Sequence, residues 1–220
     1  MNTLFEKKIK EMLKLQDDIN SQINPNWREA NNPWYRAIWT ESAELIEHIG
    51  WKWWKNQQPD INQSYMELID IWHFGLSDIL QSSNDLDEIV KKITQVNTPS
   101  TNNLLLEKSK LLVEIENFME NTIVSKKFNI EKFLLLTQSM NLSFEEIYKL
   151  YIGKNVLNRF RQDNGYKIGK YIKIWDGRED NEHLYEILDN LLMCNTQLNL
   201  SDTLYSQLNT RYKTIIEKNI

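Results

Sequence analysis

A chain of 220 residues with a formal net charge of −5 lacks the basic surface that non-specific nucleic-acid binding requires, and it is long enough to bury a sizeable core as one domain or as a core with a lobe. Six glycines and four prolines are few for that length and predict helix throughout. The lone Cys194 excludes an intrachain disulfide and leads one to expect a reducing, cytoplasmic compartment, the early charges Glu6-Lys7-Lys8 do not read as a signal peptide, and no run approaches the roughly 20 apolar residues of a membrane span.

Residues 3–20 carry apolar side chains at helical spacing and predict an amphipathic first helix. Near its end Gln16 and Asn20 lie one turn apart, where paired amides can read a base edge or serve as ordinary helix-end groups. Asn24 to Arg36 reads as a loop. A second helix starts near Trp34–Ala37 and runs to Gly50, carrying Glu41 and Glu44, with Glu47 a further turn on. After it, Trp51-Lys52-Trp53-Trp54-Lys55 suggests an aromatic wall or an interface, with lysines placed for phosphate. Pro59 is expected in the first turn of a third helix whose strongly apolar run embeds Glu67 and Asp70.

Beyond Gln81 the sequence loosens around a short helix at 86–96 and a linker at Asn97–Asn103. An amphipathic helix over 104–127 reads as a packing or dimer element. Helices are predicted at 130–140 and 143–162, the latter with Ser143 and Glu146 at capping-box spacing. Lys154, Asn158 and Arg161 share one face of it, and residues 149–173 hold seven Lys and Arg against the single acid Asp163. The turn Asn164–Lys170 carries two glycines and suits a close-fitting flap. The last segments, 181–193 and 201–216, carry no evident chemistry.

Glu41/Glu44 and Glu67/Asp70 each have i,i+3 spacing, which puts both carboxylates of a pair on one helix face. Two such helices side by side aim four carboxylates at one centre, which persists only with a cation to neutralise it. Oxygen-only donors favour Mg²⁺ or Mn²⁺, and the basic segment then suits a metal-bound polyphosphate.

The order Glu41-x-x-Glu44, loop, Glu67-x-x-Asp70 is similar to the signature of the all-α NTP pyrophosphatases. Together with Leu13–Gln16, Trp51–Lys55, Asp70–Phe74, Gly153–Gln162 and Asn164–Asn181, it resembles the dimeric dUTPases of kinetoplastids and Campylobacter-like bacteria. The resemblance implies an all-α multi-helix bundle as a single domain over 1–220, with a core of about 1–82 and 130–193 and a smaller mobile helical lobe at 83–128. It implies a cytoplasmic homodimer that hydrolyses dUTP and dUDP to dUMP with two or more Mg²⁺, keeping uracil out of DNA and supplying dUMP for thymidylate synthesis, with no nucleic-acid or membrane partner. Carried onto this chain, Glu41, Glu44, Glu67 and Asp70 hold metal, and Glu41 or Glu44 activates the water that attacks a metal-bridged phosphate. Gln16 and Asn20 read uracil, while His73, Phe74 and Asn158 shape the base and deoxyribose pocket. Lys154, Arg161 and Lys167 grip phosphate oxygens, with Trp54 and Lys55 as further contacts. The alternatives are a related pyrophosphatase with another nucleotide and a helical interaction or regulatory protein. A di-iron reading of Asp70-x-x-His73 and Asp180-x-x-His183 is weaker, because Asp180 sits where a helix cap is expected.

Overall fold

The computed structural model describes residues 3–96, 107–193 and 200–218; Cys194 and the linker expected at Asn97–Asn103 lie outside them. Among the described residues the helices are α1 (Thr3–Ile23), α2 (Trp34–Ile49), α3 (Ile61–Ser82), α4 (Leu86–Thr94), α5 (Lys108–Ser125), α6 (Ile130–Ser139), α7 (Phe144–Asp163), α8 (Asp180–Met193) and α9 (Leu200–Lys218). The chain therefore has the all-α, multi-helix fold that its composition predicts.

Local chemistry sets the ends of the central pair. α2 begins after Pro33 and stops at Gly50, which takes the left-handed conformation (φ 79°) and bonds back to Ile46 and Glu47 carbonyls. α3 starts later than expected: Asp60 is the cap, its carboxylate accepting from the Gln63 N–H at 3.0 Å, and Pro59 precedes the helix instead of opening it. Capping wins here because an aspartate side chain satisfies a helical N–H that a proline can only do without. α7 has the expected capping box, with Ser143 N–H on Glu146 Oε2 at 2.9 Å and Glu146 N–H on Ser143 Oγ at 3.3 Å.

Two compact units divide the chain, Met1–Tyr148 and Lys149–Ile220. In the first, the Asp60 N–H bonds the His48 carbonyl at 2.8 Å, while Gln81 at the far end of α3 accepts from the Asn32 N–H and the Trp34 indole, each at 3.0 Å. Contact at both ends makes α2 and α3 an antiparallel hairpin. α3 is apolar nearly all round because α1 and α2 both cover it; Leu68, Ile69, Ile71, Trp72, Leu76 and Leu80 are buried with Ile9, Met12 and Leu13 of α1 and Ile38 and Leu45 of α2. α5 packs on α2 and α6.

An aromatic cluster closes the side of α3 away from the acids. Trp72 stacks on Phe133 with centroids 5.1 Å apart, Phe128 meets Trp72 and Phe118 edge-on, and both Phe118 and Phe128 lie tilted against Phe133. Gly75 lets Phe128 in: a Cβ there would lie 2.7 Å from its ring carbons. Gly75→Ala is expected to lower unfolding free energy by about 1–3 kcal/mol. The overpacking outweighs the ~1 kcal/mol that alanine gains in a helix, because the ring is wedged among three others. Urea unfolding checks this, and an unchanged or higher midpoint would show that Phe128 can move.

The second unit is built around Trp175, Phe160 and Tyr212, all buried, with α8 and α9 supplying Leu184, Ile187, Leu188, Leu204 and Leu208. Between α7 and α8 stands a hairpin of β1 (Ile174–Trp175) and β2 (Arg178–Glu179), paired antiparallel across Asp176 (φ 48°) and Gly177 (φ 81°). Positive φ at both turn positions is what a tight hairpin needs, and Asp-Gly is the dipeptide that supplies it.

Candidate active site

The hairpin of α2 and α3 sets carboxylates face to face. Glu67 and Asp70 project one turn apart from α3, Glu41 projects from α2, and one oxygen from each lies within 4.8 Å of the other two. Glu67 is buried and the others are half-buried. Burial, then the charges of Asp70, Glu67 and Glu44, then a hydrogen bond with Glu67, push the Glu41 carboxyl up from 4.5 to about 9. Without a cation, the trio therefore keeps a proton at neutral pH. Three crowded oxygen donors fit a hard divalent ion, which relieves the same repulsion. Glu44, exposed one turn further along α2, lies outside the trio, although its charge is felt at Glu41 and at His48. Glu47 is used elsewhere: it pairs with Lys52 and accepts from the Trp51 indole and Gln57.

His48 is a residue that the sequence reading passed over. Its Nε2 lies 3.4 Å from Glu67 Oε1, and that hydrogen bond, against the pull of burial, raises its pKa. It orients Glu67 as an outer partner does at a metal centre. The spacing Glu41, Glu44, His48 at i, i+3, i+7 was the available signal.

Gln16, Asn20, His73 and Ser77 form a buried polar cluster between α1 and α3. The Ser77 hydroxyl gives its only proton to the His73 carbonyl at 2.9 Å, so the Gln16 and Asn20 amides, each 2.9 Å from Ser77 Oγ, must both donate to it. Gln16 Oε1 is thereby turned to His73 Nδ1 at 2.7 Å, which makes that nitrogen a donor. The two amides also bond each other at 3.2 Å. They are thus ordered side chains in the core of the first unit, and Ser77, which carries no obvious chemistry in the sequence, sets their direction. Phe74 stacks on Trp34 at 6.1 Å, continuing to Trp27.

Trp54 and Lys55 lie exposed in the loop after α2. Trp54 meets Trp51 and Trp53 edge-on, and Trp53 is 88% exposed.

In the second unit, α7 brings Lys154, Asn158 and Arg161 onto one face as the spacing predicts. Lys154 is buried, and its Nζ donates to Asn181 Oδ1 at 2.8 Å. Arg161 bonds Asn158 Oδ1 at 3.3 Å and grips Asp180 through Nε and Nη2, at 2.8 and 2.7 Å. Lys167 is exposed in a 3₁₀ turn, Tyr166–Ile168, between two left-handed glycines, Gly165 and Gly169. Asp180 is neither a cap nor an iron ligand: its carboxylate serves Arg161 and Tyr171. His183 Nε2 contacts the Trp175 carbonyl at 2.9 Å, and Glu41, Glu67 and Asp70 are the set among the described residues that could hold a metal.

No curated protein matches the chain. The family model for dUTPase matches residues 8–166, a span that takes in both halves of the α2–α3 hairpin and all of α7. That match covers well over half the sequence and agrees with an all-helical chain whose central hairpin carries a close-set carboxylate trio; the chain belongs to the dUTPase family and is an enzyme that hydrolyses dUTP.

Proposed function

We propose that this dUTPase is Mg²⁺-dependent and splits both dUTP and dUDP to dUMP, water adding to phosphorus as the bond between the α and β phosphates breaks. The observation that carries this reading is the Glu41, Glu67 and Asp70 oxygens within 4.8 Å of one another. A divalent cation held by these carboxylates supplies positive charge to phosphate oxygens as negative charge grows on them. His48 steadies Glu67, and an α2 carboxylate, Glu41 or Glu44, orients the water and takes its proton. In the first unit Gln16 and Asn20, ordered by Ser77, read the uracil edge beside His73. Phe74 blocks a ribose 2′-hydroxyl by bulk, a role that needs no hydrogen bond. Lys154, Asn158, Arg161 and Lys167 of the second unit bind the nucleotide's sugar and phosphate oxygens, with Trp54 and Lys55 as outer contacts. The chain acts as a homodimer in the cytoplasm, removing dUTP from the pool that DNA synthesis draws on and supplying dUMP. No described helix is long and apolar enough to cross a membrane.

The test is turnover of dUTP, dUDP, dTTP, dCTP and UTP with Mg²⁺ and with excess chelator. Activity confined to dUTP and dUDP, and lost with chelator, is expected. Equal rates on all five would assign a broad pyrophosphatase, and turnover that persists in chelator would remove the metal from the reading.

A further inference from the structure

We propose that Asp180 is a positioning residue for dUTP hydrolysis: its carboxylate, acting on the Arg161 guanidinium and backed by Tyr171 and Asn181, holds Arg161, Asn158 and Lys154 in the orientation in which they meet the nucleotide. The inference rests on the nucleotide-binding role proposed above for those three residues, and adds the group that orders them.

Asp180 is fully buried at the start of α8, yet none of its bonds serves the helix. Both oxygens take the planar fork of Arg161, Oδ2 from Nε at 2.8 Å and Oδ1 from Nη2 at 2.7 Å. A two-point bond of this kind fixes the plane of the guanidinium as well as its place. The Tyr171 hydroxyl donates to Oδ2 at 2.8 Å and leaves the carboxylate little freedom to turn. Burial and the neighbouring Asp180 charge push the Tyr171 phenol up, so it stays a donor. Burial also pulls the Asp180 carboxyl up, but the hydrogen bonds and charge of Arg161, with Tyr171 and Lys154, outweigh it and hold the group below its ordinary value.

The ordering passes outward through two amides. Arg161 Nη1 donates to Asn158 Oδ1 at 3.3 Å, so the Asn158 carbonyl faces the guanidinium and its NH₂ is the end turned to other partners. Asn181 Oδ1 accepts from Lys154 Nζ at 2.8 Å and from Arg161 Nη2 at 3.3 Å, tying the two cations to one oxygen. Two cations, one carboxylate and two amides thus share one hydrogen-bonded cluster that is largely buried. Within it the Asp180 carboxylate fixes the Arg161 guanidinium, and through that group Asn158 and Asn181 are set in turn, with Lys154 held on Asn181.

A double-mutant cycle tests this on the full-length enzyme with Mg²⁺ and dUTP. Asp180→Asn is expected to lower kcat/KM about 10- to 100-fold, and Arg161→Lys, which keeps the charge but loses the fork, by a similar factor. Because Asp180 acts through Arg161, the double variant should be no worse than the poorer single one. Tyr171→Phe is the milder probe should Asp180→Asn fail to fold; it is expected to lower kcat/KM a few-fold in the native background and to have no effect beside Arg161→Lys. A purely structural role predicts the same factor in both backgrounds, and that result would overturn the proposal. Full activity in Asp180→Asn or Tyr171→Phe, with Arg161→Lys impaired, would overturn it while leaving Arg161 as a nucleotide residue. Full activity in Arg161→Lys and Arg161→Ala would remove that role and the proposal together.

Discussion

Glu41→Gln is expected to lower kcat/KM on dUTP by about 10³-fold, the several kcal/mol that metal-assisted charge stabilisation supplies, and at the same time to make the metal-free protein more stable. The two effects share one cause. Glu41 faces Glu67 and Asp70 across the α2–α3 hairpin, and burial with that crowding pushes its pKa to about 9 from an ordinary 4.5. The folded protein therefore keeps a proton that the unfolded chain has already released. Its stability is whole below about pH 4.5 and falls as pH rises towards 9, by an amount on the order of a few kcal/mol at neutral pH. Glutamine has the shape of the protonated acid and no titration, so it removes the loss along with the metal donor. Thermal melts in chelator should show the variant and the native chain alike near pH 5 and the variant higher at pH 8. With Mg²⁺ added, only the native chain should gain strongly, because only it keeps the full donor set. Equal midpoints at pH 8, or turnover within tenfold of native, would mean that Glu41 is not part of the charge centre.

Removing the Ser77 hydroxyl should be costly in a different currency. In Ser77→Ala the amides of Gln16 and Asn20 both lose the oxygen to which they donate, inside a core where each unpaired donor costs about 1–3 kcal/mol. A loss of about 2–3 kcal/mol is expected overall, since the amides still bond each other and alanine favours helix slightly. Freed of Ser77, Gln16 can reverse and present its NH₂ to His73, so the direction of every bond in the cluster becomes ambiguous. If these amides read uracil, the preference for dUTP over dCTP should fall about tenfold, a discrimination of about 1.4 kcal/mol. Urea unfolding and the ratio of the two kcat/KM values measure the two effects separately. Native stability would show that the amides find other acceptors, and an unchanged ratio would place base reading elsewhere.

Much of this was legible before any coordinates. The i,i+3 carboxylate pairs, the Gly50 stop, the Ser143–Glu146 box and the shared face of Lys154, Asn158 and Arg161 depend only on helical periodicity and on side chains within a turn of one another. So does the expectation that an apolar α3 would bury its acids. What the sequence could not rank were groups whose roles depend on distant partners. Glu41 and Glu44 look equivalent in the chain, yet only Glu41 joins Glu67 and Asp70, because the tilt and register of α2 on α3 decide which turn faces which. Ser77, His48 and Asp180 are ordinary residues in one dimension: a serine in a helix, a histidine near a helix end, an acid at a helix start. Each acquires its function from an atom 19 or more positions away, Gln16 for Ser77, Glu67 for His48 and Arg161 for Asp180. Periodicity decides which side chains share a face, while only the packing of one helix on another decides which faces meet, and a buried hydrogen bond or charge takes its meaning from that meeting.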